Sequence, residues 1–147
     1  KAEILAIDSG AYPVLETEPS MLVLTHAHYD HTSGVAGDWK NVYLHKDDFL
    51  DGPFFKIPKQ AKPIDFEKIK WGDFELEVLR TPGHTLGSIC LFERKKKILI
   101  SGDTLFADGI GRTDLGGDEK MMAKSLALLE KLEWKTLCPG HGELARR

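Results

Sequence analysis

A seven-residue stretch of this chain concentrates side chains that bind metal ions. Residues 25–31 read Thr-His-Ala-His-Tyr-Asp-His, so half of the chain's six histidines and one aspartate occupy six consecutive positions. Imidazole nitrogen and carboxylate oxygen are ligands for zinc and other borderline first-row metal ions. The stretch follows a short apolar run at residues 21–24, which indicates a strand that ends in a ligand loop. Its candidate ligands are His26, His28, Asp30 and His31.

Three later points repeat one pattern, in which a short apolar run and a tight turn precede a single ligand-type residue. They are His84 and His141, each in a Pro-Gly-His turn, and Asp103 in Ser-Gly-Asp. Seven candidate ligands are too many for one tetrahedral catalytic ion, which takes three protein groups and a water. The set fits two ions that share a carboxylate. The sixth histidine, His45, lies outside this pattern, and we interpret it as structural.

The elements that must position these residues are short and mostly strands. Apolar runs bounded by turn residues predict strands at residues 4–7, 21–25, 41–44, 74–79, 88–92, 97–100 and 135–138. Helices are predicted from Thr32 to residue 36, over residues 45–50, and over residues 119–132 with Asp118 as the N-cap. Residues 53–63 contain three prolines and no clear period, which predicts an irregular loop or lid. Mixed sheets with few helices indicate an α+β or layered α/β domain.

Composition and charge bound the class of protein. A chain of 147 residues that is 41% hydrophobic and 29% charged is typical of a globular protein, and we expect one domain over residues 1–147. The formal net charge of −3 offers no general attraction to nucleic acid or an anionic membrane, so neither is expected as a partner. The basic run at residues 94–97 lies between two predicted strands and indicates a hairpin turn.

The cysteines and the apolar runs predict a cytoplasmic protein. Cys90 and Cys138 each lie inside an apolar run and form no CxxC pair, which favours buried, reduced thiols. We expect neither a signal peptide nor a membrane span, because no stretch has the pattern of either.

The ligand set resembles that of the metallo-β-lactamase fold superfamily, and the resemblance runs from Ile-Asp-Ser-Gly at residues 7–10 to His141. It implies an αββα sandwich with the metal centre at the sheet edges. Typical members have two further strands before the first one seen here and more helix after His141. The resemblance therefore implies a domain that lacks the usual first strands and is truncated at both ends.

Matching the family's motif assigns a role to each ligand. The resemblance implies that one metal ion takes His26, His28 and His84, and that the other takes Asp30, His31 and His141. Asp103 would bridge the two ions. Asp8 matches a family aspartate that supports the ligand loop from behind the ligands, which keeps them oriented.

Further motifs narrow the subgroup. Residues 81–88 (TPGHTLGS), 102–106 (GDTLF) and 111–114 (GRTD) are similar to glyoxalase II-like hydrolases, which cleave the thioester of hydroxyacylglutathione. This resemblance implies that a hydroxide bridging two divalent ions attacks a thioester or a related acyl compound. Zinc is the expected metal, with iron and manganese as alternatives. Asp30 would relay a proton, and the expected partner is a small-molecule substrate.

Departures from relatives limit this assignment. Typical zinc β-lactamases have a cysteine where this chain has Asp103, and the flavodiiron branch has a glutamate at the position of His28, so both activities are disfavoured. Glyoxalase II binds glutathione with a C-terminal helical domain that this sequence does not contain. The substrate therefore does not carry over with the metal site.

Two other functions stay open. Persulfide dioxygenases of the same superfamily hold one iron with residues equivalent to His26, His84 and Asp103, and a metal-binding domain without catalysis is the second alternative. Arg112 also has two interpretations: it binds an anionic group of the substrate, or it pairs with an acidic residue such as Asp114 and holds the glycine-rich loop. Tyr29 is expected to pack under the ligand loop.

Overall fold

Two β-sheets carry most of the regular structure in the computed structural model, which describes residues 3–12, 15 and 17–147. The chain divides into two units, Lys1–Ile64 and Asp65–Arg147, and each unit contains one of the sheets. Mixed sheets with few helices confirm the class of fold that the sequence predicts.

The first unit is built on a four-stranded parallel sheet. Its strands, in spatial order, are β1 (Leu5–Ile7), β2 (Met21–Val23), β3 (Val42–Leu44) and β4 (Lys62–Pro63). Strands of parallel sheets read as continuous apolar runs, which is why the sequence predicts the first three of them. Leu22 on β2 and Leu44 on β3 are fully buried and pack in one core cluster with Leu24 and Ala27. The core therefore holds the stretch in which the ligand loop begins.

The helices of the first unit differ from the prediction. α1 (Tyr29–Thr32) is one turn long, so Thr32 ends the helix instead of starting it. The cause is local: the His31 amide and the Thr32 hydroxyl both donate to the carbonyl of His28, at 3.0 and 3.3 Å, and close the turn earlier. The helix predicted over residues 45–50 is only a 3₁₀ turn, Lys46–Asp48.

The loop predicted over residues 53–63 is irregular in most of its length, with two exceptions. Its end forms β4, which pairs with β3, and Phe55 forms an isolated antiparallel bridge with His28. The loop is thereby fixed to the ligand loop and to the sheet of its own unit.

The second unit is built on a six-stranded mixed sheet. The strands are β5 (Lys68–Trp71), β6 (Phe74–Arg80), β7 (Ile89–Glu93), β8 (Ile98–Gly102), β9 (Thr136–Pro139) and β10 (Ala145–Arg146). Their spatial order is β10-β9-β8-β7-β6-β5. β8 and β9 run parallel, and the other neighbours run antiparallel. The basic run forms the predicted hairpin turn between β7 and β8.

The longest helix covers the core of the second unit. α2 (Glu119–Glu130) begins after Asp118, whose side chain accepts a hydrogen bond from the Met121 amide at 2.8 Å, as predicted for an N-cap. The helix buries Met122 and Leu129, whereas Leu126 is only partly buried. Both cysteines are free thiols. None of the helices in the described part of the chain is long and apolar enough to cross a membrane.

Candidate metal centre

The ligand loop brings three candidate ligands of the first unit together. One ligand atom each from His26, Asp30 and His31 lies within 4.8 Å of the others. The loop leaves β2 in extended conformation through His28, and α1 then turns Asp30 and His31 back toward His26. The ring centroids of His26 and His31 are 4.1 Å apart, and those of His26 and His28 are 4.8 Å apart. All three histidines are buried, whereas the Asp30 side chain is 33% exposed.

Asp8 fixes the ring orientation and the tautomer of His31. Its Oδ2 accepts a hydrogen bond from His31 Nδ1 at 2.7 Å, so the second nitrogen, Nε2, keeps a lone pair for a metal ion. Asp8 also accepts from the amide and the hydroxyl of Thr25, at 2.7 and 2.8 Å. Its backbone lies in the left-handed region with φ 59°, which Asp and Asn tolerate best among residues with a Cβ. These contacts support the role that the resemblance implies for Asp8.

The Asp8 carboxylate also sets the tautomer of His26, through the Thr25 hydroxyl. Because the Thr25 hydroxyl donates to Asp8, its oxygen accepts from His26 Nδ1, 3.1 Å away. His26 therefore also carries its proton on Nδ1 and presents Nε2. One aspartate sets the tautomer of two candidate ligands.

The second unit forms a matching group around Asp103, which is 8% exposed and follows β8. The Nε2 atoms of His84 and His141 lie 3.5 and 3.4 Å from the same oxygen, Asp103 Oδ2. Two ligand atoms of one tetrahedral zinc ion are about 3.3–3.6 Å apart, so both distances fit ligation. The arrangement also fits a carboxylate oxygen shared by two ions, which is the role that the resemblance implies for Asp103.

A backbone carbonyl fixes His84. His84 Nδ1 donates to the carbonyl oxygen of Arg112 at 2.7 Å, which leaves Nε2 as the metal-binding atom. Gly111, the preceding residue, lies so close that a Cβ there would meet the Asp103 carbonyl oxygen and approach His84 Nδ1 to 3.1 Å. The glycine-rich loop therefore packs directly on both candidate ligands.

The Arg112 side chain pairs with Asp114. Its guanidinium donates twice to that carboxylate, at 2.7 and 2.6 Å, and both side chains are more than 60% exposed. The Arg112 hydrogen bond lowers the pKa of Asp114 to about 2. This pairing favours the second interpretation of Arg112, in which its side chain holds the glycine-rich loop. The hydrogen bond from His84 to the Arg112 carbonyl was not predicted, because no sequence pattern indicates it.

Beneath His84 and Asp103 lies a buried polar network. The Thr81 hydroxyl lies 3.2 Å from both the Cys90 thiol and the Thr104 hydroxyl, and the thiol donates to the Ser101 carbonyl at 3.4 Å. These residues belong to β6, β7 and β8 or follow them, so the network joins the strand ends from which the two ligands leave. Burial raises the pKa of Cys90 to about 11, and the thiol is therefore a structural group.

Two aromatic residues near the ligand loop occupy different environments. The prediction that Tyr29 packs under the loop is wrong, because its side chain is 53% exposed at the start of α1. Phe55 packs against the core cluster, with its ring centroid 5.1 Å from that of His28. Phe55 thus packs against a candidate ligand in an edge-on ring contact.

One further residue at the loop has no sequence signal. The buried Asp48 accepts a hydrogen bond from the amide of Ala27, between His26 and His28, at 2.8 Å. The two residues are 21 positions apart, and a side chain-to-backbone contact over that separation leaves no local pattern.

Comparison with known proteins identifies the family. Residues 36–141 match the model of the metallo-β-lactamase superfamily. A Bacillus subtilis protein named "Probable metallo-hydrolase YqgX" is 38% identical over 145 positions, which cover 84% of this chain and 69% of the relative. The hydroxyacylglutathione hydrolase GloC of Haemophilus influenzae is 33% identical over 154 positions, which cover 87% of this chain and 71% of that protein.

A solved structure agrees. TTHA1623 in a di-iron-bound form superposes with a TM-score of 0.74 at 30% identity, covering 95% of this chain and 82% of that one. These findings confirm the resemblance drawn from the ligand motifs. The chain belongs to the metallo-β-lactamase superfamily and has its fold.

Proposed function

We propose that this chain is a metal-dependent hydrolase whose seven candidate ligands bind a pair of divalent cations and whose substrate is a thioester or a related acyl compound. The observation that carries the proposal is that hydrogen bonds fix the tautomer of three candidate ligand imidazoles. His26, His31 and His84 each donate from Nδ1 to an oxygen of their own unit and so keep Nε2 for a metal ion. Histidines that bind a metal ion almost always donate a hydrogen bond from their second ring nitrogen to an oxygen in this way.

The chemistry of the donor set fits the metals expected. Imidazoles and carboxylates suit zinc, iron and manganese, and the choice among them depends on supply. That the relative TTHA1623 has a di-iron-bound form supports a count of two ions and keeps iron beside zinc as a candidate.

Different groups of this site would serve different steps of the hydrolysis. The chemistry that bound cations supply is Lewis acidity, which makes hydroxide available near neutral pH and polarises the acyl carbonyl. Asp30 would hold and transfer a proton at its carboxylate, because it is the one candidate ligand of the first unit that is a partly exposed acid. A thiolate leaving group needs little protonation, so one partly exposed carboxylate suffices.

The substrate class is inferred from relatives. The name of GloC supports a hydroxyacylglutathione-like thioester, and its chain is 33% identical to this one. A small-molecule partner and a cytoplasmic location remain predictions from the sequence.

Metal content and thioesterase activity test the proposal together. The purified chain is analysed for metals, depleted with a chelator, and reloaded separately with zinc, iron and manganese. We expect two ions per chain and hydrolysis of S-acyl glutathione thioesters that depends on the metal. His26→Ala should abolish turnover, and Asp38→Ala, at an exposed position outside the ligand set, is the control.

Three outcomes contradict the proposal. One iron per chain with oxygen uptake on a persulfide substrate would indicate the dioxygenase instead. A loaded chain that is inactive on thioesters, lactones and phosphodiesters would indicate a metal-binding domain without catalysis. Full activity in His26→Ala would remove the metal centre from the mechanism.

A further inference from the structure

We infer that Asp48 is a positioning residue that aims His26 and His28 at one metal ion by holding the backbone of Ala27 between them. This inference rests on the metal centre of the proposed function and adds a residue that no ligand motif contains. It concerns the first unit alone.

Ala27 is anchored through both of its backbone groups. Its amide donates to Asp48 Oδ2 at 2.8 Å, and its carbonyl oxygen accepts from the amide of Lys56 at 2.9 Å. The amide belongs to the peptide that joins Ala27 to His26, and the carbonyl belongs to the peptide that joins it to His28. Fixing both peptide planes therefore fixes the directions in which the two imidazoles leave the backbone.

The position of Asp48 is itself determined by the fold. β3 ends at the fully buried Leu44, and the 3₁₀ turn Lys46–Asp48 follows at once. The Asp48 amide donates to the His45 carbonyl at 3.0 Å and closes the turn. The turn that follows β3, the strand next to β2, thus places the Asp48 side chain at the ligand loop.

Burial strengthens the hydrogen bond between Asp48 and the Ala27 amide. Asp48 is 0% exposed, and a polar group without water gains most from each protein partner. Hydrogen bonds to carboxylates are also stronger than those between neutral groups. Its neighbour Asp47 lies on the same turn with a side chain that is 38% exposed, which provides a matched control.

Zinc affinity in the full chain tests the inference. The metal-free protein is titrated with zinc in competition with a chelating dye, and cobalt is loaded separately to record its visible absorption. We expect Asp48→Ala to weaken the binding of one of the two zinc ions about 10–100-fold and to alter the cobalt spectrum. Asp48→Asn should remain within about threefold of the wild type, since its amide oxygen can accept the same hydrogen bond. Asp47→Ala should match the wild type.

The controls separate positioning from stability. If Asp48→Ala lowers the melting temperature but keeps wild-type zinc affinity and cobalt bands, the residue is only structural and the inference is wrong. If Asp48→Ala does not fold, Asp48→Ser replaces it, because the shorter hydroxyl cannot reach the Ala27 amide. Equal affinities of Asp48→Ser and Asp48→Asn would then overturn the inference, and weaker binding by Asp48→Ser alone would support it.

Failure of the proposed function looks different. A wild-type chain that takes up no divalent metal rejects both the metal centre and the role of Asp48. Two ions in the wild type with unchanged affinity in Asp48→Ala reject the role of Asp48 alone.

Discussion

Single acceptor oxygens decide which ring nitrogen is left for a metal ion in three of the candidate histidine ligands. Asp8 acts directly on His31 and through Thr25 on His26, and the Arg112 carbonyl acts on His84. A carboxylate, a hydroxyl and a backbone carbonyl thus achieve the same chemical result. At the residue scale the oxygen is required, whereas the type of residue that supplies it varies.

The Asp8→Asn variant tests this principle where one residue serves two ligands. Asn tolerates the left-handed backbone of this position, so the substitution changes the side chain and not the turn. If the Asn amide nitrogen takes the place of Oδ2, it points as a donor at His31 Nδ1 and at the Thr25 hydroxyl, and the tautomer control is lost. If it takes the place of Oδ1, it points at the Thr25 amide, which then has no acceptor and must move with the ligand loop. We expect about 10–100-fold weaker zinc binding in chelator competition in either case. The exposed Asp38→Asn is the control, and unchanged affinity in Asp8→Asn would contradict the support that Asp8 gives to the ligand loop.

The Arg112→Ala variant distinguishes the role of the Arg112 side chain from that of its backbone carbonyl. The carbonyl that holds His84 remains, and an ion pair as exposed as this one stabilises the loop only weakly, so we expect zinc affinity to stay close to the wild-type value. A rise in KM for anionic thioesters with unchanged kcat would restore the substrate-binding interpretation, and weaker zinc binding would show that the ion pair is needed to hold the loop.

The ion pair has its own pH dependence. Arg112 lowers the pKa of Asp114 from 3.8 to about 2, so the pair stabilises the loop above about pH 4 and loses this contribution as the pH falls through 2. Because both groups are exposed, salt weakens the effect. An NMR titration of the Asp114 carboxyl carbon in low and high salt measures it, with Arg112→Ala as the reference. A titration midpoint near 3.8 in the wild type would contradict the pairing.

At the scale of elements, the glycine-rich loop is the part that reaches the candidate ligands most closely. Gly111→Ala would place a methyl group against the Asp103 carbonyl and near His84, so the loop or the ligands must shift. Such overpacking costs about 1–3 kcal/mol, and we expect that loss in the free energy of unfolding together with weaker zinc binding. Gly109→Ala is the matched control, because a Cβ at Gly109 meets nothing within 4 Å. Equal effects of the two variants in denaturant titrations would contradict this packing.

The sequence predicted the elements whose pattern is local. Apolar runs that end in turns identified β2, β6 and β8, and hence where the candidate ligands leave the sheets. β5 was missed because Lys68–Trp71 alternates charged and apolar residues over only four positions, and β10 because it has only two residues. α1 was misplaced because its turn is closed by groups of the ligand loop itself.

The sequence indicates candidate ligands more readily than it indicates the residues that hold them. Histidines and aspartates after strand ends are visible in any single sequence, and the motif spacing supplies the rest. Asp48 and the Arg112 carbonyl act across 21 and 28 positions, so only the fold brings them to their partners. Backbone carbonyls carry no residue type at all, which is why no sequence pattern could have indicated that Arg112 contributes one.

At the scale of the whole molecule, family membership and substrate are separate questions. The chain covers 69% of the B. subtilis relative and 71% of GloC, and both relatives share its superfamily. In this chain the candidate ligands follow strand ends, whereas substrate contacts of enzymes commonly lie on loops, which vary between homologues. We can therefore propose which residues bind the metal ions, whereas the acyl group of the substrate has to be identified by assay.

The bridging role that we propose for Asp103 gives the most direct test at this scale. If its carboxylate is shared by two ions, Asp103→Ala should lose both, while His141→Ala should lose only the one that His141 serves. The structure supports the contrast, because two imidazoles approach Asp103 Oδ2 whereas the His141 side chain is 52% exposed at the rim of the group. We expect zinc per chain to fall from two to near zero in Asp103→Ala and to one in His141→Ala. Zinc at about 100 times its dissociation constant should stabilise the wild type by about 2.7 kcal/mol for each ion, and Asp103→Ala should lose this gain in thermal unfolding. One ion retained in Asp103→Ala would show that the two metal positions do not share this carboxylate.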